Sequence, residues 1–163
     1  MLHTVHNLAE HEVEWRAQWL QKLAFVGGIT PVACAREVAH SLERMYGIRD
    51  ALVIPNCIPV RQYRTSVVAR EAWREREGIS HDERVLLSVA RFAPQKNHEL
   101  LIRAFAIVAA HHRNARLVLA GRGESQERVE RLTATLGIKD RVKFLGLRTD
   151  VPNVLAAADI FVL

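Results

Sequence analysis

The sequence predicts an α/β protein of parallel sheets with flanking helices, and three observations carry that prediction. Short apolar runs alternate with amphipathic stretches along the whole chain. Two of the runs, Arg84–Ala90 and Ala115–Ala120, are nearly continuous in apolar residues, as strands buried on both faces of a parallel sheet require. Three helical stretches close on the same pair, Gly47-Ile48, Gly78-Ile79 and Gly137-Ile138, each with a strand a few residues on. Glycine enters the left-handed conformation at a helix end without steric cost, and the isoleucine folds back on the last turn. Helix–Gly–Ile–strand, repeated, is βα alternation with right-handed crossovers.

The elements follow in order. Leu2–His6 reads as a strand and Leu8–Phe25 as a helix carrying Val13, Leu20 and Leu23 near one face. Ile29–Cys34 is a strand and Ala35–Tyr46 a helix with Val38, Leu42 and Met45 inward. Ala51–Ile54 is a strand, and Pro55 and Pro59 make the connection after it rigid and extended. Val67–Glu77 is a helix and Arg84–Ala90 a strand. His98–Ala110 is a helix capped by Asn97, with Leu101, Phe105 and Val108 inward. Ala115–Ala120 is a strand, and Ser125 caps a helix through Leu136 that buries Val129, Leu132 and Leu136. Val142–Leu145 is a strand, Val151–Ala157 a short helix and Ile160–Leu163 the start of another strand. A strand opening at Leu2 and an apolar strand at the last residues read as cut ends, so further chain is expected on both sides. The Pro55–Pro59 segment is the expected boundary: about 55 residues before it belong to one α/β domain, and the residues after it begin a second.

The chain has 163 residues, 49% hydrophobic and 25% charged, the balance of a soluble globular protein rather than a disordered one. A net charge of +5 suits anionic partners and equally an arginine-rich solvated surface. Three Trp, two Tyr and five Phe, dispersed, do not make a base-stacking platform, so no nucleic acid partner is expected. Cys34 and Cys57 form no Cys-x-x-Cys pair, which indicates neither a zinc site nor a redox motif and suits a reducing compartment. No run approaches the roughly 20 apolar residues of a membrane span, and the N-terminus lacks the basic start of a signal peptide. The expected location is cytoplasmic.

In an open parallel sheet, ligands bind at the carboxyl ends of the strands. Two loops there carry candidate chemistry. Arg91-Phe92-Ala93-Pro94-Gln95-Lys96-Asn97 puts an Arg fork and a Lys point charge five apart, ahead of a helix N-terminus that favours an anion. The pair suits a diphosphate and the charge it gains as a leaving group; a solvated basic loop has the same composition. Gly121-Arg122-Gly123 follows the Ala115–Ala120 strand, where glycines admit a ligand or simply make a tight turn. Gln126 stands where a dinucleotide fingerprint needs glycine. His3 and His6, three apart in a strand, point to opposite faces and are a poor metal pair. His98, His111 and His112 read as surface or helix-end residues.

The ordered series Val53-Ile54-Pro55-Asn56-Cys57-Ile58-Pro59, Leu87-Ser88-Val89-Ala90-Arg91-Phe92 with Lys96, Leu119-Ala120-Gly121-Arg122-Gly123, Val142-Lys143-Phe144-Leu145-Gly146 and Ala157-Ala158-Asp159-Ile160-Phe161-Val162-Leu163 resembles the group 1 (family 4) retaining glycosyltransferases of GT-B fold, over nearly the whole chain. The resemblance implies that residues 1–59 are the C-terminal portion of an acceptor-side Rossmann-like domain plus the linker, and residues 60–163 the N-terminal portion of a nucleotide-sugar-binding Rossmann-like domain. It places Arg91 and Lys96 on the donor diphosphate, Gly121 and Gly123 beside the nucleotide, and the backbone of Gly146, Leu147 and Arg148 against the base. Thr4-Val5-His6 resembles the segment whose histidine approaches the transferred sugar. Cys57 departs from the family's usual glycine. The family's two-glutamate motif falls beyond Leu163 and its N-terminal glycine-rich loop before Met1, so the resemblance implies little or no transfer by this chain alone. It implies hexosyl transfer from a UDP- or GDP-type sugar without metal or other cofactor, to a carbohydrate, lipid or small-molecule acceptor, with peripheral contact at the inner membrane face open. The rival readings are a GT-B nucleotide-sugar epimerase and a non-catalytic nucleotide-binding module.

Overall fold

A computed structural model describes residues 1–64 and 67–163. It divides into two compact units, Met1–Ile58 and Pro59–Leu163, each a parallel sheet flanked by helices.

The first unit holds strands β1 (Leu2–Val5), β2 (Thr30–Ala33) and β3 (Leu52–Val53), in that order across the sheet. Leu2 pairs with Thr30 and Val32 with Leu52. Helix α3 (Arg36–Tyr46) covers the sheet with Val38 and Leu42, which pack on Val5, Ala9 and Ala33. Gly47 ends it at φ 75°.

The single helix expected over Leu8–Phe25 is instead three pieces: α1 (Ala9–Glu12), a 3-10 turn (Trp15–Ala17) and α2 (Gln18–Val26). Val13 and Glu14 between them are extended, at ψ 160° and 143°. A tertiary anchor wins over local periodicity here. The Ala9 amide donates to the buried Ser41 hydroxyl at 2.8 Å, and the Glu12 carboxylate accepts from the Asn7 amide at 3.0 Å. The break re-aims the helix. Phe25 turns inward, edge-on to Tyr46 at 5.4 Å, whereas Leu20 and Leu23, read from sequence as near one face of a single helix, are 52% and 57% exposed.

The second unit is a four-stranded sheet in the order β6-β5-β4-β7, all parallel, with β4 Arg84–Val89, β5 Ala115–Ala120, β6 Val142–Gly146 and β7 Ile160–Phe161. Alternate residues of one strand serve opposite faces. Leu117 and Leu119 of β5 pack with Phe105 and Ile102 of α5 (His98–His111) and Val129 of α6 (Gln126–Thr135). Val118 between them packs on the other face, with Trp73 of α4 (Val67–Arg76) and Val154 of α7 (Val151–Ala157). In α5 the buried apolar positions are Ile102, Phe105 and Ala109, with the expected Leu101 and Val108 flanking them. Ser125 makes no side-chain cap; its amide is drawn to the Phe92 carbonyl at 3.0 Å instead.

Asp159 fastens β7 to the sheet. Its carboxylate accepts the Val85 amide at 2.7 Å and pairs with Arg70 at 2.7 Å and Arg74 at 3.2 Å. Arg74, 4% exposed, also donates to the Glu83 carbonyl at 2.7 Å. Burial alone would raise the Asp159 carboxyl, but the Val85 amide and the Arg70 charge outweigh it and hold the group below its ordinary range.

Candidate functional site

The sheet order has a consequence for where ligands fit. From β4 the chain steps outward to β5 and β6, then returns to the other side of β4 with β7. The crevice at such a reversal, outside the carboxyl ends of the strands, is the ligand position of open α/β sheets.

Three loops leave those strand ends, and backbone hydrogen bonds carry the sheet past its formal limits into them. The Ala90 amide donates to Ala120 at 3.0 Å, the Phe92 amide to Arg122 at 3.0 Å and the Gly121 amide to Gly146 at 2.8 Å. The loops therefore lie backbone against backbone, which the two glycines permit. A Cβ on Gly121 would stand 2.0 Å from the Ala90 carbonyl oxygen, and one on Gly123 would stand 2.4 Å from that of Phe92. Glycine is thus required at both positions by loop packing alone.

The result is a cleft of about 430 Å³ lined by Val89, Ala90, Arg91, Gly121, Leu147 and Arg148, with Ala120, Arg122 and Val151 completing the wall. That size lies within the range of ligand pockets. Its walls are apolar where Val89, Ala90, Leu147 and Val151 face it, and cationic at Arg91 and Arg122. Arg122 was not singled out from sequence; its place between Gly121 and Gly123 was the available signal.

The cations differ in commitment. Arg148 is held by Asp150 at 2.7 and 2.8 Å and by Glu77 at 3.4 Å. Its hydrogen bonds keep the Asp150 carboxyl below the usual carboxylate range. Arg91, Lys96 and Arg122, by contrast, form no ion pair among the described residues. Of these, Arg91 and Arg122 line the partly apolar cleft, and cations without acidic partners in such a place suit an anion attached to an apolar ring.

The sequence-derived residues are therefore distributed as follows. Arg91, Gly121, Leu147 and Arg148 share the cleft. Lys96 is exposed in a 3-10 turn (Pro94–Lys96) of the same loop, Gly123 packs under Phe92, and Gly146 accepts the Gly121 amide. Asn97 takes φ 46° and caps α5, its side chain accepting the Leu100 amide at 3.4 Å. His6 lies in the first unit, exposed just after β1, where its carbonyl accepts the Cys34 thiol at 3.5 Å. His98 departs from expectation. It is 4% exposed rather than at the surface, because its ring stacks on Phe92 at 4.3 Å and 15°. Burial, and then the Lys96 charge, push its pKa below the ordinary 6.5. Among the described residues no cluster of three or more His, Cys, Asp or Glu could hold a metal ion, and no helix is long and apolar enough to cross a membrane.

The profile of the family described as "Glycosyl transferases group 1" matches residues 69–163, which contain every element of this cleft. The chain belongs to the group 1 glycosyltransferases. Among curated group relatives, it is 27% identical over 99% of its length to alpha-monoglucosyldiacylglycerol synthase of Streptococcus pneumoniae, of which it covers 40%. It is 35% identical over 72% of its length to mannosylfructose-phosphate synthase of Agrobacterium fabrum, of which it covers 28%. The fold matches that of Anabaena Alr3699/HepE, solved in complex with UDP and glucose, at a TM-score of 0.85 and 22% identity, over 98% of this chain and 45% of that one. The chain thus spans less than half the length of these group 1 relatives. Its two units have the fold of the corresponding Rossmann-like parts of GT-B glycosyltransferases.

Proposed function

We propose that this chain is part of a family 4 glycosyltransferase that moves a hexosyl group from a nucleoside diphosphate sugar with retention of configuration. The single observation that carries the reading is the cleft at the ends of β4, β5 and β6. There, Arg91 lies beside an apolar wall, in a loop whose two cations have no acidic partner among the described residues. On this reading Pro59–Leu163 is the donor side. The base rests against the apolar wall and the backbone of Gly146, Leu147 and Arg148, and the diphosphate meets Arg91 and Lys96. Gly121 and Gly123 keep the loops close enough for both contacts. Charge grows on the diphosphate as the glycosidic bond breaks, so fixed cations there act more strongly on the transition state than on the ground state. A diphosphate oxygen then takes the acceptor's proton as the new bond forms on the same face, and the reaction needs no metal. Met1–Ile58 is the acceptor side, and His6 is its candidate residue for contact with the transferred sugar. The names of the relatives, a diacylglycerol glucoside synthase among them, favour a lipid or carbohydrate acceptor.

The test is calorimetric titration of the chain with UDP, GDP and ADP, and of an Arg91→Ala/Lys96→Ala double variant. Each charge-assisted hydrogen bond is worth about 1.5–3 kcal/mol, so loss of two weakens the preferred nucleotide by roughly 100-fold or more. Equal affinity in the double variant would place the diphosphate elsewhere.

A further inference from the structure

One buried polar side chain near the cleft has no part in the reading above. His98 is the first residue of α5 and is 4% exposed, and its Nδ1 is buried without a hydrogen-bond partner among the described residues. Polar atoms are seldom buried unsatisfied without a reason. The ring lies flat on Phe92, itself 1% exposed. Phe92 is in turn fixed at its backbone: its amide donates to Arg122 and its carbonyl accepts from Ser125, both at 3.0 Å. The residues between the two rings, 93–97, fold as a short turn closed by Lys96 N–H to Ala93 and Asn97 N–H to Pro94, at 2.9 and 3.0 Å. Arg91 immediately precedes the first ring and Lys96 lies inside the turn. The two rings therefore fasten both ends of the basic loop to the second loop and to the start of α5.

We propose that His98 is a positioning residue whose stack on Phe92 clasps the 91–97 loop and so fixes where Arg91 and Lys96 point. The proposal rests on the reading of those two residues as the donor diphosphate site. The stack gives the loop a fixed shape before ligand arrives, which lowers the ordering cost of binding.

The clasp is sensitive to protonation. An imidazolium has two donors, and here the Nδ1 proton would meet no acceptor. The charges around the ring come from each element packed on it: Lys96 in the loop, Glu99 on α5 and Arg128 on α6, the last two paired with each other at 2.6 Å. Phe144 of β6, 6.0 Å from Phe92, adds none. Of these three charges, Lys96 has no acidic partner among the described residues, so the net field opposes a second cation. The folded-state value lies below 6.5, so the clasp is fully present above pH 6.5 and weakens as pH falls from there toward the lowered value.

Amide hydrogen exchange of the full chain, with the β4 and β5 amides as an internal folding control, tests this. In His98→Ala, protection of the 92–97 amides falls roughly threefold to tenfold, the worth of one aromatic pair, while the strands keep theirs. In His98→Phe the loop keeps its protection and no longer loses it between pH 7 and 5, as the parent does. Loop protection in His98→Ala equal to the parent's overturns the proposal, as does equal loss in the Ala and Phe variants. UDP titration of the same variants separates the two layers. Loss in Arg91→Ala/Lys96→Ala but not in His98→Ala defeats the clasp alone. Indifference to the double variant defeats the diphosphate reading, while exchange still decides whether His98 fastens the loop.

Discussion

Replacing Gly121 by alanine tests whether backbone contact between the loops holds the cleft together. Gly121 adopts φ 146°, and its Cβ would lie 2.0 Å from the Ala90 carbonyl oxygen and 2.9 Å from the carbonyl carbon. Neither atom belongs to a side chain that can rotate away. The unfavourable backbone region costs about 1–3 kcal/mol, and forcing the two loops apart costs about another 1–3 kcal/mol. Gly137 is the control in the same unit. It sits at φ 67° with nothing within 4 Å of a Cβ, so alanine there meets only the left-handed penalty of about 1–2 kcal/mol. In both variants the cost is reduced by about 0.4–1 kcal/mol, because alanine also restricts the unfolded chain. Each kcal/mol moves the melting midpoint of a domain this size by about 4–8 °C. Thermal unfolding followed by circular dichroism should therefore put Gly121→Ala at least about 5 °C below the parent, and below Gly137→Ala, which loses only a few degrees. Nucleotide titration should show weaker binding only in Gly121→Ala. Equal midpoints for the two variants would refute the claim that loop-on-loop packing, beyond glycine's own conformation, fixes this position.

Asp159→Asn keeps the shape but removes the charge facing Arg74. Loss of a buried pair costs about 3–5 kcal/mol; the Asp159 side chain is 20% exposed, so about 2–3 kcal/mol is expected in urea unfolding, and an unchanged midpoint would show that the pair contributes nothing. The acid limb should be steep for the same unit. Asp150 and Asp159 both titrate below the ordinary 3.8 in the folded chain, so their stabilisation is present above about pH 3.8 and is lost as pH falls through their lowered values. Urea midpoints between pH 5 and 2 check this, and Asp150→Asn should flatten part of the slope; an identical slope would remove the Arg148 pair from the account.

The sequence by itself determined the alternation of elements, and the reason is local. Ala115–Ala120 and Val151–Ala157 have the expected limits because a continuous apolar run and a short helix with Pro152 in its first turn each carry their signal within a few residues. Gly47, Gly78 and Gly137 are all left-handed at helix ends, because that conformation depends on the missing Cβ and not on distant contacts. The candidate loops were legible for the same reason: they follow strong strands. What only the tertiary structure decided lies at long range. The break at Val13 depends on Ser41, 32 residues from the Ala9 amide it accepts, and no periodicity reports it. Arg74 and Asp159 are 85 residues apart, and each alone reads as a surface charge. His98 looked like a helix-end residue until Phe92 closed over it. Gly121 and Gly123 read from sequence equally as a ligand loop or a tight turn, and the structure shows that they make room for Ala90 and Phe92. Local conformation follows from a residue's own chemistry. Burial, pairing and the commitment of a charge depend on which distant segments the sheet brings alongside.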